Sequence, residues 1–398
     1  MATVSTPGPA GPSVYLDYAA TTPVDPRVAA AMQPYLAGRF GNAGSVHAFG
    51  QAARSAVTQA RTAVASLIGA TPAEIVFTSG ATESNNAAIL GAVSAREAAS
   101  QHVITAATEH HAVLEPCRWL GRRGVAVTVL PVDRHGMVDP DAVRRAIRPD
   151  TVLISIMHSN NEIGTIAPIA EIAAVARERG VLMHTDATQS AGIVPLDVRA
   201  LGVDLLSLSA HKRCGPKGIG ALYVRTGVRI DPLLHGGSQE WGRRGGTENV
   251  PAIVGFGEAA GIAADAMTEE AARVAALRDR LVAGLGAIEG AHFNGPPQQR
   301  LPGIVNVSFA SADSESLLLA LDLEGVAASS GSACTSGSLE PSHVMAALGL
   351  PEHLAAGTLR FSLGRWTTAE EIDRVLEILP RVLAPVRRAA ARGRAALR

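Results

Sequence analysis

Lys212 and Lys217 are the only lysines in a chain of 398 residues that carries 35 lysines and arginines in all. Arginine serves as a surface cation as well as lysine does, but it cannot lose its proton and attack a carbonyl. A lysine kept where arginine serves elsewhere is a candidate for amine chemistry, most simply a Schiff base. The context of Lys212 agrees. Val203–Ser209 is expected to form a buried strand, Ser209-Ala210-His211-Lys212 is its polar exit, and Gly215-Pro216 turns the chain. A lysine in an ordinary loop is the plainer alternative. Cys334 is the second candidate. A cysteine without a disulfide is usually buried among apolar neighbours. This one sits in Ser329-Ser330-Gly331-Ser332-Ala333-Cys334-Thr335-Ser336-Gly337-Ser338, with no aliphatic side chain larger than Ala. A thiol there is exposed and a liability unless used; an incidental surface cysteine is the alternative. Cys117, among Val113, Leu114, Trp119 and Leu120 on an expected helix, reads as core.

The elements that must position such groups alternate between strand and helix. Residues 1–14 are expected as a flexible Pro/Gly arm, and Val46 to Ile68 as mostly helical with Arg54 and Arg61 on the polar side. A strand over Glu74–Thr78 runs into Ser79-Gly80-Ala81-Thr82-Glu83 and then a helix. Unpaired N–H groups and the dipole at such a helix start favour an anion; a plain helix cap is equally open. Further strands are expected over 102–106, 126–130, 151–157, 181–184, 203–209 and 219–224. Aliphatic runs of this kind, most of them separated by helices, indicate a mostly parallel α/β sheet covered on both faces. Thr82, His110, Asn161, Asp186, Gln189, Ser209, His211 and Lys212 fall at or just past strand C-termini, the edge where open α/β sheets bind ligands. Beyond Val224 lie Gly-rich stretches over 235–240 and 243–249, a helix from near Ala252, a second from about Thr268 to Ile288, and a smaller α+β region. The expected division is 15–262 for a large domain and 263–398 for a small one.

An amine at one strand exit needs a carbonyl, and an anion site at another suggests a phosphorylated cofactor. Asp186 could pair with a protonated ring nitrogen. Together these describe pyridoxal 5'-phosphate. No metal cluster competes, since Cys117, Cys214 and Cys334 match no zinc spacing.

Composition sets the bounds. The chain is 47% hydrophobic and 18% charged with a formal net charge of −1, which makes no case for binding nucleic acid or a membrane surface. The Arg-rich tail from Arg387 reads as a solvated helix end. The N-terminus has no basic or apolar signal region, and no run reads as long enough to span a bilayer. The expected location is cytoplasmic, with reduced thiols.

Nine motifs then coincide: Asp17-Tyr18-Ala19-Ala20-Thr21-Thr22, Gly80 to Asn86, Thr108-Glu109-His110, Asn160 to Gly164, Asp186-Ala187-Thr188-Gln189, Ser209 to Lys212, Gly246-Thr247-Glu248-Asn249, Ser330 to Cys334 and Arg360 to Arg365. Jointly they resemble cysteine desulfurases of the NifS/IscS kind, in the class V branch of fold-type I pyridoxal-phosphate enzymes. The resemblance runs from Tyr15 to about Ile378. It implies a large domain with a mostly parallel seven-stranded sheet between helices, and a smaller α+β domain carrying the cysteine loop. It implies that Lys212 holds the cofactor and shuttles protons, that His110 stacks on the ring as an acid/base, that Asp186 holds the ring nitrogen and Gln189 the phenolic oxygen. Ala81, Thr82, Ser209 and His211 would bind phosphate, with Thr247 from the other subunit. Asn161, beside the cofactor, and Arg360 would hold the substrate carboxylate, a task suited to a guanidinium. Cys334 would take the sulfur of L-cysteine as a persulfide, and alanine would leave. The family is homodimeric and passes sulfur to acceptor proteins, scaffolds for Fe–S clusters or thiolation enzymes. The Ser-rich Cys334 loop is similar to the IscS group rather than the SufS group.

Cys214, Ser238 and Gly245 depart from the usual pattern without removing a named catalytic group. Cys214 either packs as a small hydrophobe or faces the cavity as a sulfur relay. The competing functions are a selenocysteine lyase, a class V aminotransferase or lyase that needs no thiol, and a binding protein that keeps the pocket without turnover.

Overall fold

The computed structural model describes residues 13–96, 100–331 and 342–396; most of the expected N-terminal arm, and Cys334, lie outside the described residues. In chain order the strands are β1 Val14–Tyr15, β2 Ile75–Thr78, β3 His102–Ala106, β4 Ala126–Leu130, β5 Thr151–Ser155, β6 Leu182–Asp186, β7 Leu205–Ser209, β8 Gly220–Val224, β9 Ala291–Asn294, β10 Ile304–Phe309, β11 Val326–Ala327 and β12 Thr358–Ser362.

Seven of them form one sheet in the order β2-β8-β7-β6-β5-β3-β4. β4, β3, β5, β6 and β7 run parallel, and β8 is antiparallel to both β7 and β2. This is the mostly parallel seven-stranded sheet expected. β2, β3, β5, β7 and β8 are buried at every position, so both sheet faces are covered. Alternate residues feed two cores. Ile75 and Phe77 join one with helices Ala48–Leu67 and Ile169–Glu178. Val76 joins the other with helices Ala81–Ser94 and His111–Gly121. Cys117 lies in this second core, 1% exposed.

Contacts divide the chain into two units. The larger comprises Thr21–Asn160 and Thr165–Glu269; the smaller takes Glu270 onward, Asn161–Gly164 and the stretch ending at Ala20. The expected large domain, 15–262, includes residues 15–20 and 161–164 of these last two segments. The structure moves them because β1 pairs in parallel with β11, and because Leu301 N–H donates to the carbonyl of Gly164 at 2.8 Å. The smaller unit has its own antiparallel sheet, β12-β10-β9, over a core that includes Leu16, Val307, Phe361 and Leu379.

Two expectations need correction. The helices expected from Ala252 and Thr268 are one helix, Val250–Gly286, of 37 residues. Thr268-Glu269-Glu270 resembles a helix start, but the helix runs through it. Upstream, Gly257 permits close packing, since a Cβ there would lie 2.5 Å from Ala60 Cα. By length and composition this helix could cross a membrane, yet half of its apolar window is buried inside the protein. Arg61, expected on a polar helix face, is buried, 8% exposed.

Candidate active site

In the larger unit, β2 ends at Thr78 and the chain turns through Ser79-Gly80 into helix Ala81–Ser94. Gly80 is the N-cap and has no capping side chain, so the first-turn N–H groups are left for another acceptor. The turn is pressed onto the start of β8, where a Cβ on Gly220 would lie 2.7 Å from Gly80 Cα. Gly220 is in register with Ser209 at the end of β7 and with Thr78. Glycine at both positions thus brings the helix start beside the buried Ser209 side chain.

Asp186, the last residue of β6 and 6% exposed, is fixed on both oxygens. Asn85 Nδ2 donates to Oδ2 at 2.7 Å, and Thr188 N–H to Oδ1 at 2.9 Å. Helix Ala81–Ser94 is therefore tied directly to Asp186. Glu109, fully buried, has its carboxyl pushed well above the usual range, first by burial and then by Asp186, against the Met157 N–H that donates to it.

Lys212 ends a short 3-10 turn, Ala210–Lys212, and is half-buried, whereas Lys217 is exposed. Two neighbours hold the turn. Arg213 donates to the carbonyls of Lys212, Gln189 and Ala191, clamping the Lys212 turn to the chain leaving β6. Thr22 Oγ1 donates to the His211 carbonyl at 2.8 Å and accepts from Cys214 N–H at 2.9 Å. His211 Nδ1 contacts Thr21 Oγ1 at 3.1 Å. Burial, and then Lys212, Lys217 and Arg213, lower the His211 pKa to about 4, so the ring is neutral at neutral pH. His110 accepts from Ala112 N–H on Nδ1 at 3.0 Å, which puts the proton of a neutral ring on Nε2. His110 and Thr82 line one cavity of ≈ 610 Å³ with Asn86 and Arg122.

These residues fit pyridoxal phosphate. Buried Asn85 Oδ1 and Thr188 Oγ1, both beside Asp186, lack partners among the described residues, as expected where a ligand completes the bonding. The helix start with Ser209 and His211 is a donor set for phosphate. Asp186, held in place, suits a cationic ring nitrogen.

In the smaller unit, Arg360 lies on β12 and is 1% exposed. Nη2 donates to Asp17 at 2.7 Å and Nη1 to the Asn161 carbonyl at 3.0 Å; Nε has no partner among the described residues. Arg360 N–H also donates to the Ser329 carbonyl at 2.6 Å, at the foot of the segment that carries Cys334. Both feet of that segment meet Glu162. Ser342 Oγ donates to its Oε2 at 2.6 Å, and a Cβ on Gly331 would lie 2.6 Å from the same atom.

The expected residues thus fall into two groups. Ala81, Thr82, His110, Asp186, Gln189, Ser209, His211 and Lys212 belong to the larger unit, and Asn161 and Arg360 to the smaller. Thr247 is exposed on the larger unit, and Cys334 lies outside the described residues. Thr22 and Asn85, which hold the Lys212 turn and Asp186, and Asp17, which holds Arg360, lie in the motifs above but carry no role there, and Arg213 lies outside them. Cys214 is 5% exposed at φ 56°, which favours packing over the relay.

The class-V aminotransferase family model matches residues 14–375. A cysteine desulfurase IscS of Dictyoglomus turgidum is 52% identical over 375 residues, 94% of this chain and 95% of that protein. One from Methanosarcina thermophila is 53% identical, over 94% of this chain and 93% of that protein. A solved NifS-like protein superposes with a TM-score of 0.89 at 38% identity, covering 94% of this chain and all of that one.

Proposed function

This chain belongs to the class-V aminotransferase family and is a pyridoxal-phosphate-dependent cysteine desulfurase, and from that premise we propose that Lys212 and Cys334 divide its chemistry. When bound, the cofactor supplies an electron sink for the substrate Cα. Lys212 is its attachment point and carries a proton to and from Cα. Asp186 would keep the ring nitrogen protonated, Gln189 would serve the phenolic oxygen, and His110, with its proton on Nε2, would act as the acid/base beside the ring. Ala81, Thr82, Ser209 and His211 bind the phosphate, with Thr247 of a second copy. Asn161 and Arg360 hold the substrate carboxylate. The Cys334 thiol accepts the sulfur: L-cysteine and Cys334–SH give L-alanine and Cys334–S–SH, with no external oxidant. The persulfide then passes to an acceptor protein, a scaffold or a thiolation enzyme.

The observation that carries the assignment is the Arg213 clamp, which ties the half-buried Lys212 to the chain leaving Asp186 while Lys217 is exposed. A homodimer is supported by exposed Leu36, Phe40, Val46 and Phe49, each more than half exposed along one stretch of the larger unit. A cytoplasmic location accords with thiol chemistry at Cys334. The test is borohydride reduction of the yellow holoenzyme followed by peptide mapping. The cofactor is expected on Lys212, and Lys212→Ala should bind it without a covalent link. Label on Lys217, or on no lysine, would overturn the assignment.

A further inference from the structure

β2 is an edge of the seven-stranded sheet, and an edge strand presents N–H and C=O groups that no strand satisfies. Here two side chains stand in for the missing neighbour. Arg61 Nη1 donates to the Ile75 carbonyl at 2.6 Å, and Phe77 N–H donates to Glu240 Oε2 at 2.9 Å. The same two side chains form a two-pronged ion pair, 2.6 Å at both contacts. Both residues are less than a tenth exposed. The Arg61 guanidinium lies 4.7 Å from the ring centre of Phe77 and 4.6 Å from that of Trp241. Glu240 and Trp241 sit in the left-handed region, φ 48° and 56°, which residues other than glycine hold only where their surroundings enforce it. A buried ion pair returns little net stability, so geometry is its better-supported use.

That geometry joins two parts of the phosphate machinery. β2 runs straight into the Ser79-Gly80-Ala81 turn. Glu240 opens the loop that leads to Thr247, and within it Arg244 Nε donates to Glu83 Oε1 at 3.0 Å. The other oxygen of Glu83 accepts from Ser79 N–H at 2.7 Å. Ser79, Glu240, Arg244 and Thr247 line one cavity of ≈ 170 Å³. The loop is thus pinned twice, to the strand before the phosphate turn and to the helix after it.

We propose that Arg61 and Glu240 are a positioning pair for the cofactor phosphate, locking the Thr247 loop onto β2 so that the Gly80 turn, which serves the chain's own phosphate, and Thr247, which reaches that of a second copy, are set together in both sites of the dimer. The proposal rests on the assignment of Thr82 and Thr247 to the phosphate. It predicts a loss confined to ligands that carry that phosphate.

The test titrates the full-length apoprotein with pyridoxal phosphate and with pyridoxal, following absorbance. Glu240→Gln keeps the shape and removes the charge. It should raise the dissociation constant for pyridoxal phosphate at least tenfold and that for pyridoxal less than twofold. Arg61→Lys, which keeps the cation but loses the fork, should move the same ratio in the same direction and serves if Glu240→Gln does not fold. Equal losses for both ligands, or no change for either, would overturn the proposal. Thr82→Ala is the reference. If it discriminates between the two ligands and the pair variants do not, the positioning role alone fails. If it does not discriminate, the phosphate assignment fails with it.

Discussion

Arg360→Lys separates charge from shape at the proposed carboxylate site. The guanidinium is 1% exposed and already holds two acceptors, Asp17 at 2.7 Å and the Asn161 carbonyl at 3.0 Å, from two different nitrogens. Its planar fork keeps Nε in reserve. A lysine ammonium is a single point and cannot span the same acceptors while facing a carboxylate with two bonds. At least one charge-assisted hydrogen bond to the substrate is lost, worth about 2–3 kcal/mol, which is roughly 30- to 150-fold. The loss should appear as a higher KM for cysteine, with the absorbance of the resting enzyme unchanged because the cofactor ligands are untouched. Alanine formation measured over a range of cysteine concentrations reads the first quantity, and a visible spectrum reads the second. Asp17→Asn should move KM in the same direction by a smaller factor. An unchanged KM in Arg360→Lys would refute the reasoning and transfer the role to another cation, with Arg365, held by Glu270 at 2.8 Å, the first to test.

Cys334→Ser should still show the spectral change on adding cysteine, since ring binding does not need the thiol, but should form no alanine under turnover; alanine at the wild-type rate would sink the persulfide step. Cys214→Ala should turn over normally, with labelled sulfur found on Cys334 alone, because Cys214 is buried and its backbone N–H and carbonyl are taken by Thr22 and Asp25; label on Cys214 in the wild type would restore the relay. Burial lowers the pKa of His158 from 6.5 to about 4, so between those values the unfolded chain binds the extra proton and stability falls as pH drops from 6.5 towards 4. His158→Asn should make the thermal midpoint less sensitive to pH in that window, and an identical fall in the variant would show that other groups carry it.

The sheet was legible because aliphatic runs buried on both faces announce themselves without partners, as β3 and β5 do. The strand-exit cluster around Lys212 was legible for the same reason, since knowing where strands end fixes where their polar tails gather. What escaped were charges whose meaning depends on a distant residue. Arg61 reads as a solvated helix position until Glu240, far along the chain, is found against it. Asp17 opens a motif that names no partner for it until Arg360 meets it. Arg213 carries no signal of its own beside Lys212, and only the fold shows which carbonyls it reaches. The continuous helix Val250–Gly286 was missed because local capping chemistry at Thr268 mimics a start that packing on both halves overrides.

The pairing of β1 with β11 has a consequence for synthesis. Val14 and Tyr15 are made well before their partners: Val326 and Ala327 follow about 310 residues later, and Arg360, which Asp17 holds, later still. At about 5–20 residues per second that is a wait of roughly 15–70 s. The larger unit is complete once Glu269 has emerged, so its core can close during translation while Leu16 remains unpacked. Assembly of the Arg360 site therefore waits on synthesis of β12, and any stall or truncation short of β12 yields a chain whose larger unit can form but whose substrate anchor cannot.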